Sequence, residues 1–122
     1  MRLVHTDIPT DDLEAAQTLL GSPGAVVEDD DLESCRSEVR VALEVIDDSD
    51  SYQDRLEDSY RHAGSALLSL DSFEERVRAL HAAGGLRVGN ATAAAVIASC
   101  GAVRRALDDW LDWARRELAD LD

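Results

Sequence analysis

Apolar positions recur at intervals of three and four residues along most of this chain, which is the spacing of one face of an α-helix. Leu32, Cys35, Val39, Leu43 and Ile46 share a face, and Glu33, Arg36, Arg40 and Glu44 lie opposite. The run Asp47-Asp48-Ser49-Asp50-Ser51 stops that helix and offers a cap for the next. A second periodic run then places Tyr52, Leu56, Tyr60, Ala63, Leu67 and Leu70 together, with Asp54, Arg55, Glu57, Asp58 and Arg61 off the stripe. At Asp71-Ser72-Phe73-Glu74-Glu75 a Ser-x-x-Glu capping-box pattern predicts a fresh helix start. Its inner stripe is Phe73, Val77 and Leu80, and Gly84-Gly85 supplies the positive-φ position that ends it.

The last segment, Ala91 to about Leu118, is predicted as one long helix capped by Asn90. Its first half is apolar almost all round, which predicts a buried, central position. Its second half carries Val103, Leu107, Trp110, Leu111, Ala114 and Leu118 on one face. About a quarter-turn away, Ala95, Ala102, Ala106 and Trp113 form a second stripe. Small side chains let backbones approach closely, so this helix is expected to pack on two neighbours, one of them a candidate second subunit. Trp113, with Arg116 and Glu117 beside it, is the candidate anchor.

Residues 1–30 carry a weaker pattern. Leu3-Val4 and Ala25-Val26-Val27 read as short strands flanking a helix that starts near Thr10 and ends at Gly21. The expected architecture is therefore all-α: an antiparallel bundle of four to five helices, with the long C-terminal helix running down its centre. The chain reads as one domain, residues 1–122, with the bundle in 31–122.

Composition sharpens this. Apolar residues make up 45% of the 122 and aromatics only 4%, so the core is built from Leu, Val, Ile and Ala. The net charge is −14, and all 12 basic residues are Arg. A high-GC genome accounts for Arg, Ala, Gly and Asp; a salt-rich cytoplasm accounts better for a charge deficit of this size, because an acidic surface stays hydrated and repels its copies. This halophile-like composition counts against gripping phosphates, an objection that molar salt weakens. The N-terminus has no apolar signal region, and the longest apolar run, Ala93 to Ala98, is far short of the ~20 residues of a membrane span. The cytoplasm is the default compartment and a membrane partner is not expected. Cys35 and Cys100 read as reduced, partly buried thiols.

Candidate chemistry is sparse. His5, His62 and His81 are scattered, no ExxH or HExxH pair occurs, and neither a metal nor a cofactor is implied. The acidic clusters Glu28-Asp29-Asp30-Asp31 and Asp47-Asp48-Ser49-Asp50 lack EF-hand spacing and read as helix caps. A helix-turn-helix built on the Gly84-Gly85 turn would lack phosphate-holding residues at Asn90-Ala91-Thr92-Ala93. The segment Arg76-Val77-Arg78-Ala79-Leu80-His81 contains Arg-x4-His, which resembles the motif of HEPN-type ribonucleases, small helical bundles that often dimerise. The resemblance implies a ribonuclease or toxin–antitoxin component in which Arg76 orients a phosphate and His81 transfers protons. The family usually has a polar residue where this chain has Val77. Residues five apart on a continuous helix also point about 140° apart, so the two would face one phosphate only if the helix broke between them. The expected function is instead a non-catalytic interaction or assembly module, homodimeric through Ala95, Ala102, Ala106 and Trp113, or bound to another protein. A third reading is an acidic regulatory protein that mimics nucleic acid.

Overall fold

In the computed structural model, which describes residues 8–21, 29–48, 51–85, 87–88 and 91–121, four helices pack around one apolar core. They are α1 (Asp11–Leu20), α2 (Asp30–Ile46), α3 (Tyr52–Ala82) and α4 (Ala93–Leu121). A two-residue antiparallel ladder, β1 (Arg87–Val88) with β2 (Ala91–Thr92), closes the connection between α3 and α4. It adds no layer, and the fold is all-α. The strands expected at Leu3-Val4 and Ala25-Val27 lie outside the described residues.

The local signals act as the chemistry requires. Asp11, Asp12 and Glu14 occupy the first turn of α1, against the positive end of its dipole. Asp29 caps α2, accepting from the Asp31 and Leu32 amides at 2.9 and 3.3 Å. Ser51 caps α3 through the Asp54 amide at 3.2 Å. Gly84, at φ 93°, ends it: the Gly84 amide donates to His81 O and the Gly85 amide to Leu80 O, a Schellman closure. Asn90 lies outside the described residues; Thr92 Oγ1 accepts from the Ala95 amide at 3.1 Å and caps α4.

Each helix has two neighbours in a closed ring, α1–α2–α3–α4–α1. The pairing of α2 with α3 is antiparallel, as four polar ties along their length show: Arg76 to Asp31, His62 to Glu38 at 2.7 Å, Ser59 to Ala42 O at 2.9 Å and Arg55 to Ile46 O at 2.6 Å. At the far end of the α3–α4 pair, Tyr52 donates to Glu117 at 2.9 Å. Trp110 joins α4 to the entry of α1 by donating to Pro9 O at 2.8 Å. The centre is filled by Leu13, Leu56, Leu70, Leu107 and Trp110, each at most 1% exposed.

Three expectations need correction. The capping-box pattern at Ser72 starts no helix, because α3 runs unbroken for 31 residues, about 46 Å. Phe73 and Glu74 are buried there, and the side chain of Asp71 pairs with Arg104 of α4. Packing on both sides overrides a weak local stop signal. Leu80, expected inside, is 42% exposed because it stands near the end of α3, beyond the start of α2. Finally, α4 does not run down the centre. It packs on α3 and α1, and in its first half Ala94, Ala95 and Ala98 are exposed.

Candidate functional site

The Arg-x4-His pair lies wholly within α3, on its last turns. Arg76 is engaged: Nη2 donates to both Asp29 oxygens at 2.6 and 2.7 Å, and Nη1 to Asp31 Oδ2 at 2.5 Å. Asp29 and Asp31, of the acidic run that reads as a helix cap, thus also hold an arginine of the same chain. Burial opposes ionisation of Asp29, but the bonds from Arg76 and the Leu32 and Asp31 amides outweigh it and hold the carboxyl below its ordinary range. His81 is exposed, not half-buried at the edge of the core as its position beside Val77 suggests. With no break between residues 76 and 81, the two side chains are set on different faces of one helix.

A second polar centre lies on the α3–α4 seam. Glu74, only 4% exposed, receives Arg78 at 2.6 Å and Arg104, and Arg104 also reaches Asp71. Burial pushes the Glu74 carboxyl up, yet the Arg104 and Arg78 bonds prevail and lower it overall. This network is closed on itself, with each carboxylate facing a guanidinium, so it is a staple between α3 and α4. The two thiols are buried and unpaired; burial first, and then Cys100 beside Cys35 and the Glu74 carboxylate beside Cys100, push Cys35 up to about 12 and Cys100 up to about 11. Such thiols are poor nucleophiles at neutral pH. Among the described residues there is no group of three or more His, Cys, Asp or Glu placed to hold a metal ion, and no helix long and apolar enough to cross a membrane.

The second stripe of α4 is half-buried in part. Ala106 and Trp113 pack half-buried against the core, and Trp113 tilts against Trp110 with ring centroids 6.1 Å apart. Ala102 is half-buried and Ala95 is exposed. Within the chain α4 packs on α3 and α1, and of the four stripe residues Ala95 is the most open.

A feature that periodicity passed over lies on the outer face of α3 and α4. Tyr60, Arg61, Gly64, Ser65 and Leu68 of α3 and Asp108, Leu111, Asp112 and Arg115 of α4 line an open groove of about 670 Å³. Leu68 is 71% exposed in it, the most exposed large apolar side chain among the described residues. A Cβ on Gly64 would meet nothing within 4 Å. The signal was present in the sequence: Leu68 falls about 100° past Leu67, off the apolar stripe, and a glycine in the middle of a helix costs stability that no turn here explains. Compared with protein-family models, with curated proteins and with solved structures, the chain matches none of them.

Proposed function

We propose that this protein is a non-catalytic protein–protein assembly module that forms a homodimer. The observation that carries the reading is the outer α3–α4 groove, with Leu68 71% exposed in it. An amphipathic partner helix can lay its apolar face in a groove, and Leu67, Leu68 and Leu111 are the apolar part of this lining. Among the described residues, two polar constellations serve the protein's own architecture: Arg76 ties α3 to the start of α2, and Glu74 ties α3 to α4.

Light scattering combined with circular dichroism, at low and at molar KCl, tests this. A helical dimer of twice the chain mass is expected, and a helical monomer at both salt concentrations and millimolar protein would overturn it. Comparing Leu68→Asp with Trp113→Asp then assigns the interface, to the α3–α4 groove or to the stripe of Ala95, Ala102, Ala106 and Trp113.

A further inference from the structure

We infer that α1 is a detachable cover over the core side of α4, held firmly in place only when salt screens the acids around it. This device is independent of whether the chain assembles with a copy of itself.

Little besides apolar contact holds α1. Its charged residues are Asp11, Asp12 and Glu14, with no base among its ten residues, and among the described residues none of the three makes an ion pair. The α2–α3 seam, by contrast, carries Arg76 on Asp29 and Asp31 and His62 on Glu38, and the α3–α4 seam carries Arg104 on Asp71 and Glu74. Of the four described helices, α1 alone has an N-cap residue, Thr10, whose side chain accepts no amide hydrogen bond. The polar ties that remain run to backbone carbonyls at its two ends. Trp110 Nε1 donates to Pro9 O at 2.8 Å, and Arg36 Nε donates to Leu20 O at 3.0 Å.

The apolar hold is short as well. Ten residues fall below the length at which an isolated helix persists in water, so α1 is helical because it is docked. Leu13, Ala16 and Leu20 are its buried side chains, whereas α3 buries Leu56, Ala63, Ala66, Leu70, Phe73 and Val77. Elements that bury the least apolar surface open first, ahead of global unfolding.

Charge acts against docking. Where α1 meets α4, burial first, then Asp109 and Asp11, raise the Asp12 carboxyl above its ordinary range. The positive end of the α1 dipole favours acids in its first turn, yet the balance at Asp12 goes against ionisation. Asp12 and Asp109 stand on different helices, so their repulsion is relieved when α1 lifts, and salt weakens it while α1 stays docked.

The surface beneath is apolar. Leu19 and Leu20 share a small apolar cavity with Val96, Cys100 and Val103 of α4, and Trp110 is bonded to Pro9. Lifting α1 bares these side chains, and ionic strength sets how often that happens.

Native-state hydrogen exchange, read amide by amide at low salt and in molar KCl, tests this. The amides of Ala16 to Leu20 are expected to be about a hundredfold less protected than those at the centre of α3. Molar KCl should raise their protection about tenfold, and Asp109→Asn should reproduce about threefold of that at low salt while adding nothing at high salt. Ser59→Ala, which removes the α2–α3 bond to Ala42 O, should lower protection in α3 and leave α1 unchanged, because α1 opens without breaking it. Amides of α1 and α3 that exchange in step, in wild type and in both variants, would mean that α1 leaves only with global unfolding, and the inference is overturned. It is overturned equally if the protection of α1 is indifferent to KCl and to Asp109→Asn.

Discussion

Arg76, late in α3, closes onto both carboxylate oxygens of Asp29, the residue that caps α2, through a single guanidinium nitrogen at 2.6 and 2.7 Å. The cap and the cross-helix ion pair share one carboxylate, so the start of α2 and the end of α3 are held as a unit. Replacing Arg76 by Ala is expected to lower stability by about 1 kcal/mol, the range for a charge network near the surface. His81→Ala, at an exposed site one turn and a half further on, is expected to leave the melting temperature unchanged. Thermal melts followed at 222 nm compare the two. RNA cleavage lost in a folded His81→Ala variant would instead favour the ribonuclease reading.

Glu74 makes stability depend on pH. Its folded carboxyl is held below the ordinary range by Arg104 and Arg78, against the effect of burial. A group whose pKa falls on folding contributes stability that is present above its unfolded value, about 4.3, and is lost as pH falls through the folded value. Asp29 acts in the same direction. Denaturant midpoints are expected to drop steeply below about pH 4. Glu74→Gln should cost about 1–3 kcal/mol at neutral pH and flatten that acid limb, because the staple then loses its buried negative charge, leaving Arg104 with Asp71 alone and Arg78 without its carboxylate partner.

The two glycines of α3 and its C-terminal turn should respond oppositely. At Gly64 a methyl meets open space in the middle of a helix, so Gly64→Ala is expected to stabilise the monomer by about 0.5–1 kcal/mol. At Gly84, φ 93° strains any L side chain, and Gly84→Ala should destabilise by about 1 kcal/mol. Chemical denaturation of the two variants gives the signs.

Salt should stabilise the folded chain. Burial first, then the nearby charges of Asp109 and Asp11, raise the carboxyl pKa of Asp12, a sign of acid crowding where α1 meets α4. Screening relieves that repulsion, so moving from low salt to molar KCl is expected to add on the order of 1 kcal/mol. A melting temperature that falls or stays level with KCl would argue against the salt-adapted reading of the composition.

The thiols provide a probe of global opening. Cys35 is fully buried and Cys100 is 3% exposed, with their pKa values pushed up to about 12 and about 11. At pH 8 neither should react with a thiol reagent on the timescale of minutes, and both should react at once in denaturant. Fast labelling of either in the native protein would show that the core opens locally.

What the sequence determined by itself was everything that depends on neighbours within a turn or two. The stripes of α2 and the first two-thirds of α3, the caps at Asp29 and Ser51 and the positive-φ stop at Gly84 were legible, because rotation per residue, capping and glycine's freedom are local physics. The acidic, Lys-free surface was legible in the same way. The tertiary structure decided the rest. Asp71 and Ser72 stay helical because α2 and α4 clamp the helix on both sides. The second helical neighbour of α4 within the chain is α1. Arg76 turns toward Asp29 and Asp31, more than forty residues away in the chain. Leu68 is left outside because its face has no internal partner. Periodicity tells which residues share a face; which face meets which neighbour depends on contacts between segments far apart in the chain, and no local spacing encodes them.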